Sequence, residues 1–424
     1  MKKLLVTILS FSIMVNSIML TGCAKNNKED RTQSNANEPV ATETADTSKK
    51  PEEGEVVTDM IERSGLAQVI LENMTLEEKV GQMFIVNLES LDNTKGSYYE
   101  HREVTKKMKE TLKEYPVGGA ILFSRNIETR NQTVKLNQDL QANSRIPLWI
   151  SVDEEGGDIA RIANNPNMKT TQFPSMEVVG ATEDADYCFE MGKTIGSEIK
   201  ELGFNLDFAP VADVRTNENN TEIGNRSFGS DAELVAQLST SVVKGLQKAG
   251  VSATLKHFPG HGDAEGDTHK SSVNIGSDIS RLRDVDFVPF QSGIKAGADF
   301  MMISHISISR VAGNTLPASL SSLVMKDIVR QELGFEGIVI TDAMDMKAIT
   351  NNYSSGDAAL KAIEAGADIV LMPAEFESAF NEVLNAVIEK KLPESRIDES
   401  VQRILEKKLQ RGLILSNSEL IYKK

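Results

Sequence analysis

From about Asp59 onward the apolar and polar positions alternate between two periods. Short runs rich in β-branched residues, apolar on both faces, end in a polar residue and are followed by long stretches at helical spacing. Eight such runs occur: Met83–Asn87, Gly119–Ser124, Leu148–Asp153, Asn205–Ala209, Ala253–His257, Phe300–His305, Gly337–Asp342 and Ile369–Met372. The stretches between them are each long enough for a helix, among them Ala232–Ala249, Leu282–Ala296 and Ser321–Leu333, the last closed by Gly334. Thr75 and Glu78 form a capping-box pattern that opens a short helix before the first run. Doubly apolar strands separated by helices pair in parallel, and eight of them predict a closed, TIM-like (β/α)8 barrel of the α/β class. An open doubly wound sheet would carry a glycine fingerprint after its first strand, and none is present. Residues 58–424 accommodate one such barrel with elaborated loops and a terminal helix over Glu394–Arg411, and no second large domain.

The N-terminus reads differently. Lys2 and Lys3 precede an apolar stretch from Leu4 to Leu20 that ends in Leu20-Thr21-Gly22-Cys23. Residues 1–22 read as a secretory signal, and the tetrapeptide resembles the bacterial lipobox, which implies lipidation of Cys23. A transmembrane anchor is the alternative, but the run is short and interrupted by Ser10, Ser12, Asn16 and Ser17. Residues 24–57 are polar, contain no aromatic residue and cannot bury a core, so 23–57 reads as a lipidated cysteine and solvated tether spanning about 30 Å. The expected location is the outer face of a bacterial cell membrane, with the lipid as the membrane contact.

Composition narrows the chemistry. With 46 Lys+Arg against 62 Asp+Glu the formal net charge is -16, which argues against a nucleic-acid partner held by a basic surface. Only 2 Cys are present, too few for a disulfide framework or a cysteine-rich zinc site, and Cys188 reads as a buried thiol. The pattern leaves the oligomeric state open.

Four strands end in Asp153, His257, His305 and Asp342, and barrel geometry brings strand ends to one rim. The densest segment is Lys256-His257-Phe258-Pro259-Gly260-His261-Gly262-Asp263, continuing to Asp267-Thr268-His269. It holds three of the 5 His in the chain, and Gly260, Gly262 and Gly266 let the loop bend sharply. A zinc site formed by His257, His261, Asp263 and His269 is one reading, but the Phe-Pro-Gly turn keeps the first two from sharing a helix face. No metal and no cofactor is expected.

Taken with Thr341-Asp342-Ala343-Met344-Asp345-Met346, the segment resembles glycoside hydrolase family 3, in its β-N-acetylglucosaminidase branch. The likeness runs from Met74-Thr75-Leu76-Glu77-Glu78-Lys79-Val80-Gly81-Gln82 to Ala367-Asp368-Ile369-Val370-Leu371-Met372-Pro373. It implies a single catalytic barrel domain in which Asp342 is the nucleophile, His269 the general acid/base and Asp267 its orienting partner. Asp153, Arg161, Lys256 and His257 are implied to hydrogen-bond the terminal sugar, with Arg226 near the acetamido group. The chemistry asks for these types: retention needs a carboxylate beneath the sugar and a proton donor above the leaving oxygen. A histidine paired with an aspartate titrates near neutrality and suits that donor. Glu265 is a second candidate for the acid. Two positions depart from the family pattern, Glu154 and Asp158, both beside the expected sugar pocket.

Asp213 and His305 are further candidates for the pocket wall, while Asp345 reads as a helix-start residue. The implied reaction is hydrolysis of terminal non-reducing β-linked N-acetylglucosamine, with peptidoglycan fragments as the substrate suggested by the compartment. A β-glucosidase or β-xylosidase, a phosphorylase of the same family, and a sugar-binding lipoprotein are the alternatives.

Overall fold

The computed structural model describes residues 53–96 and 98–415. The signal segment, Cys23 and most of the tether lie outside the described residues. The folded part begins earlier than the pattern places it: Glu53–Glu72 is one helix, so residues 53–57 belong to it. Its later half buries Ala67, Ile70 and Leu71, and no proline interrupts it back to Glu53. Among the described residues no helix is long and apolar enough to cross a membrane.

Eight strands form one parallel ring, labelled here β1 Phe84–Asn87, β2 Gly119–Ile121, β3 Trp149–Val152, β4 Leu206–Asp207, β5 Ser252–Phe258, β6 Phe300–Ile303, β7 Ile338–Thr341 and β8 Val370–Leu371. They pair in chain order, β8 returns to β1 through Phe84 and Val370, and a bridge between Ile340 and Ile369 completes the ring. A helix follows every strand, including Arg130–Ala142, Ala232–Ala249, Ser355–Ala365 and Phe376–Ile388. The fold is thus the α/β barrel that the eight-run pattern predicts. Two of the expected helices are wound partly or wholly as π-helix, over Leu282–Asp286 and Leu323–Glu332.

The strand period sorts the core into two layers. Ile85, Trp149, Phe300, Met302, Ile338 and Ile340 fill the barrel interior, whereas Phe84, Val86, Ile150, Met301 and Val339 face the surrounding helices. Trp149 meets Phe300 edge-on at 5.1 Å inside the ring. A side chain at Gly119 would place its Cβ 2.5 Å from the Trp149 carbonyl, so β2 can approach β3 only with glycine there.

The helix Glu394–Gln410 and the residue after it tie down the amino-terminal face of the barrel. Lys408 Nζ donates to Gln82 Oε1 (2.7 Å) and the Gly118 carbonyl (3.1 Å). Asp299, just before β6, holds Lys407 and Arg411, and Asp368, just before β8, holds Arg330 and Arg403. Ion pairing at this end supports the fold and leaves the opposite rim for chemistry.

Candidate active site

The alternation that places Ile338 and Ile340 inside the barrel carries on to Asp342, and that of Trp149 and Ser151 carries on to Asp153. Both carboxylates therefore end inward columns at the carboxyl rim. Thr254 and Lys256 do the same on β5, whose neighbours Ala253 and Leu255 face the helices. A cavity of about 490 Å³ opens there, lined by Asp153, Glu155, Arg161, Glu222, Arg226, Lys256, His257, His269, Met302, Asp342, Asp345 and Met346 among others. That volume is in the usual range for small-molecule sites.

The floor is an ion network. Lys256 Nζ donates to Asp153 Oδ1 (3.0 Å) and Glu155 Oε1 (2.6 Å). Arg226 holds the same Glu155 through two bonds, Nε to Oε2 (2.9 Å) and Nη2 to Oε1 (2.7 Å). Arg161 Nη2 approaches Asp153 Oδ2 at 3.6 Å. Burial alone raises the Glu155 carboxyl, but Arg226 and Lys256 outweigh it and hold the group well below the ordinary range. Burial likewise disfavours the Lys256 cation, and the charges of Asp153 and Glu155 more than restore it. Each buried charge has an opposite partner, so the floor presents donors and acceptors already fixed in place.

His257 is steered from behind. Its Nδ1 lies 2.7 Å from Asp213 Oδ2, and its Nε2 lies 3.4 Å from Arg226 Nη2 on the cavity side. Asp213 is fully buried and also accepts the backbone N–H of His261 at 2.6 Å. It does not line the cavity. Neither does His305, which has the parity of Met301 and Ile303 and so faces away from the barrel axis. Its ring bridges Ser319 Oγ (2.7 Å) and the Ala343 carbonyl (2.9 Å), and burial keeps its pKa below the usual value. His305 thus braces the turn after Asp342, and Asp213 orients His257.

Asp342 accepts the Ala343 N–H at 2.7 Å. Burial pushes its carboxyl up, but His305, His257, that N–H and His269 prevail and keep it below the ordinary carboxylate value. An ionised carboxylate beside a cavity is a competent nucleophile. Asp345, at the rim of the cavity, is pushed up to about 6 by partial desolvation of its carboxyl and by the charge on Asp342.

The loop after β5 brings the imidazole. Gly260 and Gly266 adopt φ values of 117° and 125°, and a Cβ at Gly262 would lie 1.9 Å from the Val214 carbonyl. His269 Nδ1 sits 3.1 Å from Asp267 Oδ1 and 3.3 Å from Glu222 Oε1. The Glu222 contact is the largest of the influences that raise the imidazole to about 9, with Asp342 and Asp267 adding to it. Among the described residues Glu222, Asp267 and His269 are the set whose potential metal-ligand atoms fall within 4.8 Å of one another. Thr268 and Lys270 already donate to the two carboxylates, and the set is read here as one proton site shared between loops. His261 Nε2 lies 3.2 Å from Glu222, outside the cavity lining.

Glu155 and Glu222 line the cavity without having been singled out from the sequence. The first had a signal: two cations assigned to one buried pocket need a counter-charge, and the third residue of Asp153-Glu154-Glu155 supplies it. Glu222, in a polar loop of asparagines and glutamates, had none. The two departures also resolve. Glu154 turns away from the cavity, where the Ile162 and Ala163 N–H groups donate to it at 2.8 Å each and burial raises it to about 7. Asp158 accepts from Asn225 Nδ2 at 3.0 Å, beside Arg226. Glu265 is exposed and does not line the cavity.

Fold and rim together define a (β/α)8 barrel with a charged cavity at the carboxyl ends of its strands. The description "Glycosyl hydrolase family 3 N terminal domain" matches residues 75–407, and the chain belongs to this family. It is 34% identical over 346 residues to the beta-hexosaminidase A of Pseudoalteromonas piscicida, an alignment covering 74% of the chain and 57% of that relative. It is 35% identical over 279 residues to the beta-hexosaminidase of Stenotrophomonas maltophilia strain R551-3, covering 64% of the chain and 80% of the relative. Among solved structures, a glycoside hydrolase family 3 beta-N-acetylglucosaminidase from Paenibacillus sp. str. FPU-7 superposes with a TM-score of 0.75 at 37% identity, covering 82% of this chain and 68% of that one.

Proposed function

We propose that the protein is a retaining exo-β-N-acetylglucosaminidase that removes terminal, non-reducing β-linked N-acetylglucosamine. The observation that carries the reading is that Asp342 and His269 line one cavity whose floor is a set of ion-paired polar groups. In the first step an Asp342 carboxylate oxygen bonds to the anomeric carbon as the bond to the leaving oxygen breaks, and His269 passes its proton to that oxygen. In the second step water attacks the anomeric carbon and gives a proton back to His269, and the Asp342 carboxylate departs. Asp153, Lys256 and His257 position the sugar hydroxyls, and Arg226 faces the acetamido group. The names of the relatives support the choice of hexosaminide over glucoside.

The proposal extends to location and source. The signal-like segment and Leu20-Thr21-Gly22-Cys23 support a lipid on Cys23 and attachment to the outer face of the cell membrane, with peptidoglycan fragments as substrate. Loss of labelled palmitate incorporation in Cys23→Ser tests the anchor. For the activity, we expect the purified protein to cleave an aryl β-N-acetylglucosaminide far faster than the matching β-glucoside, with no dependence on phosphate. Faster β-glucoside cleavage would overturn the substrate reading, and a phosphate requirement would point to phosphorolysis.

A further inference from the structure

Glu222 joins two loops that are not adjacent in sequence. It lies in the segment between β4 and the helix Ala232–Ala249, and its carboxylate accepts both donors of Thr268, the backbone N–H at 2.9 Å and Oγ1–H at 2.7 Å. Thr268 is completely buried, and its carbonyl accepts the Ala348 N–H at 3.1 Å from the segment that follows Asp342. The residue between Asp267 and His269 is thus held on both sides. The same Glu222 carboxylate stands 3.3 Å from His269 Nδ1, so it competes with Asp267 for a single ring N–H.

The two carboxylates differ in what they are attached to. Asp267 is two residues from His269, moves with the same loop, and shares its charge with the exposed Lys270 at 2.8 Å. Glu222 belongs to another strand's loop, is 8% exposed, and has its backbone carbonyl tied to Arg226 Nη1 at 3.2 Å. A local partner can set the ring's tautomer, but only a partner outside the loop can set the ring's place relative to Asp342.

We propose that Glu222 is the positioning residue of the acid/base: it latches the loop carrying Asp267-Thr268-His269 over the cavity and holds the proton on His269 Nδ1, leaving Nε2 to serve the leaving oxygen. The proposal rests on His269 being the acid/base. Glu222 then matters more than Asp267, because it supplies the same charge together with the anchor.

The test uses the full chain and two substrates, an aryl β-N-acetylglucosaminide with an activated phenol and a β-linked N-acetylglucosamine disaccharide. Glu222→Gln keeps the shape and loses the charge. It should lower turnover of the disaccharide by about 10- to 100-fold, the scale of one lost charged hydrogen bond. Release of the activated phenol in the first turnover should change by less than about threefold on the same principle that a good leaving group needs little proton donation. The covalent adduct on Asp342 should accumulate, seen by intact mass, since the returning base is misplaced as well. Asp267→Asn should show a smaller effect of the same kind, and Glu222→Asp should recover part of the loss. Equal losses on both substrates without an adduct, or a smaller effect for Glu222→Gln than for Asp267→Asn, would overturn the latch. His269→Ala on the same pair separates the two readings. If His269→Ala shows no leaving-group dependence, the acid/base assignment fails; if it does and Glu222→Gln does not, only the latch fails.

Discussion

Asp213 Oδ2 lies 2.7 Å from His257 Nδ1, and its other oxygen accepts the His261 backbone N–H at 2.6 Å. With Arg226 Nη2 at 3.4 Å on the far side, the ring is held with Nδ1–H toward the carboxylate and Nε2 toward the cavity. Asp213, outside the cavity lining, therefore orients His257 from behind, as a second carboxylate orients the ring in a catalytic triad.

Replacing Asp213 by Asn keeps the volume but turns one acceptor into a donor facing N–H groups. Losing a buried charged hydrogen bond costs about 1.5–3 kcal/mol, or about one to two decades. On the proposed reading, in which His257 holds the sugar and takes no part in bond breaking, that loss should fall mainly on KM. Steady-state kinetics on the aryl β-N-acetylglucosaminide gives the answer, and an unchanged KM in Asp213→Asn would show that His257 does not depend on this carboxylate.

Much of this was legible from period alone. Eight doubly apolar runs specify the barrel, and polar strand ends specify its rim. The same period, carried one residue further, distinguishes Asp342, Asp153 and Lys256, which continue inward columns, from His305, which continues an outward one. Convergence on a rim is a weaker criterion than parity, and it is what makes His305 a candidate for the pocket wall. Glu222 stayed hidden because its role depends on two loops meeting, and loop conformation follows from tertiary contacts such as Gly262 against Val214 that no local pattern encodes. The helical start at Glu53 is not legible in the sequence because the segment leading into it is polar and carries no capping pattern.

The raised pKa of His269 has a definite sign. A group lifted to about 9 keeps its proton through neutral pH and loses it as the pH rises through that value. The rate constant kcat/KM on an unactivated substrate should therefore hold near neutrality and decline above about pH 9. Asp342 is one of the charges that raise it, so neutralising Asp342 should lower the midpoint. An NMR titration of His269 in Asp342→Asn should show this downward shift, which also describes the glycosyl-enzyme, where the imidazole must act as a base. A midpoint that stays put or rises would contradict the proposed coupling.

At the opposite end of the barrel the fold itself can be tested without touching the cavity. Asp368 is fully buried and accepts Arg330 Nη2 at 2.5 Å, Arg403 Nη1 at 3.0 Å, Ser400 Oγ at 2.6 Å and the Val339 N–H at 2.9 Å. Asp368→Ala removes the buried counter-charge of Arg330 and Arg403 and leaves the Val339 N–H without its acceptor, a defect of about 3–5 kcal/mol. Denaturant unfolding should show a loss of that size, while KM of the protein still folded should stay at the wild-type value.

The roles of Asp342 and His269 separate by chemistry. On the proposed mechanism no glycosyl-enzyme can form without Asp342, so Asp342→Ala should lose turnover on every substrate whatever its leaving group. His269→Ala should retain the first step on an activated phenol, which departs with little proton donation. An unactivated sugar leaving group should slow by about 10²–10⁴, the usual contribution of a general acid. If the missing residue is also the base of the second step, as proposed, the adduct on Asp342 should build up with activated substrates. Azide needs no deprotonation to attack, and it should discharge the adduct as a β-configured glycosyl azide, with retention as two inversions at the anomeric carbon require. Inverted product would mean a single displacement by azide, with no covalent intermediate on Asp342. Equal losses for His269→Ala on both substrate types, with no adduct by intact mass, would remove His269 from the acid/base role.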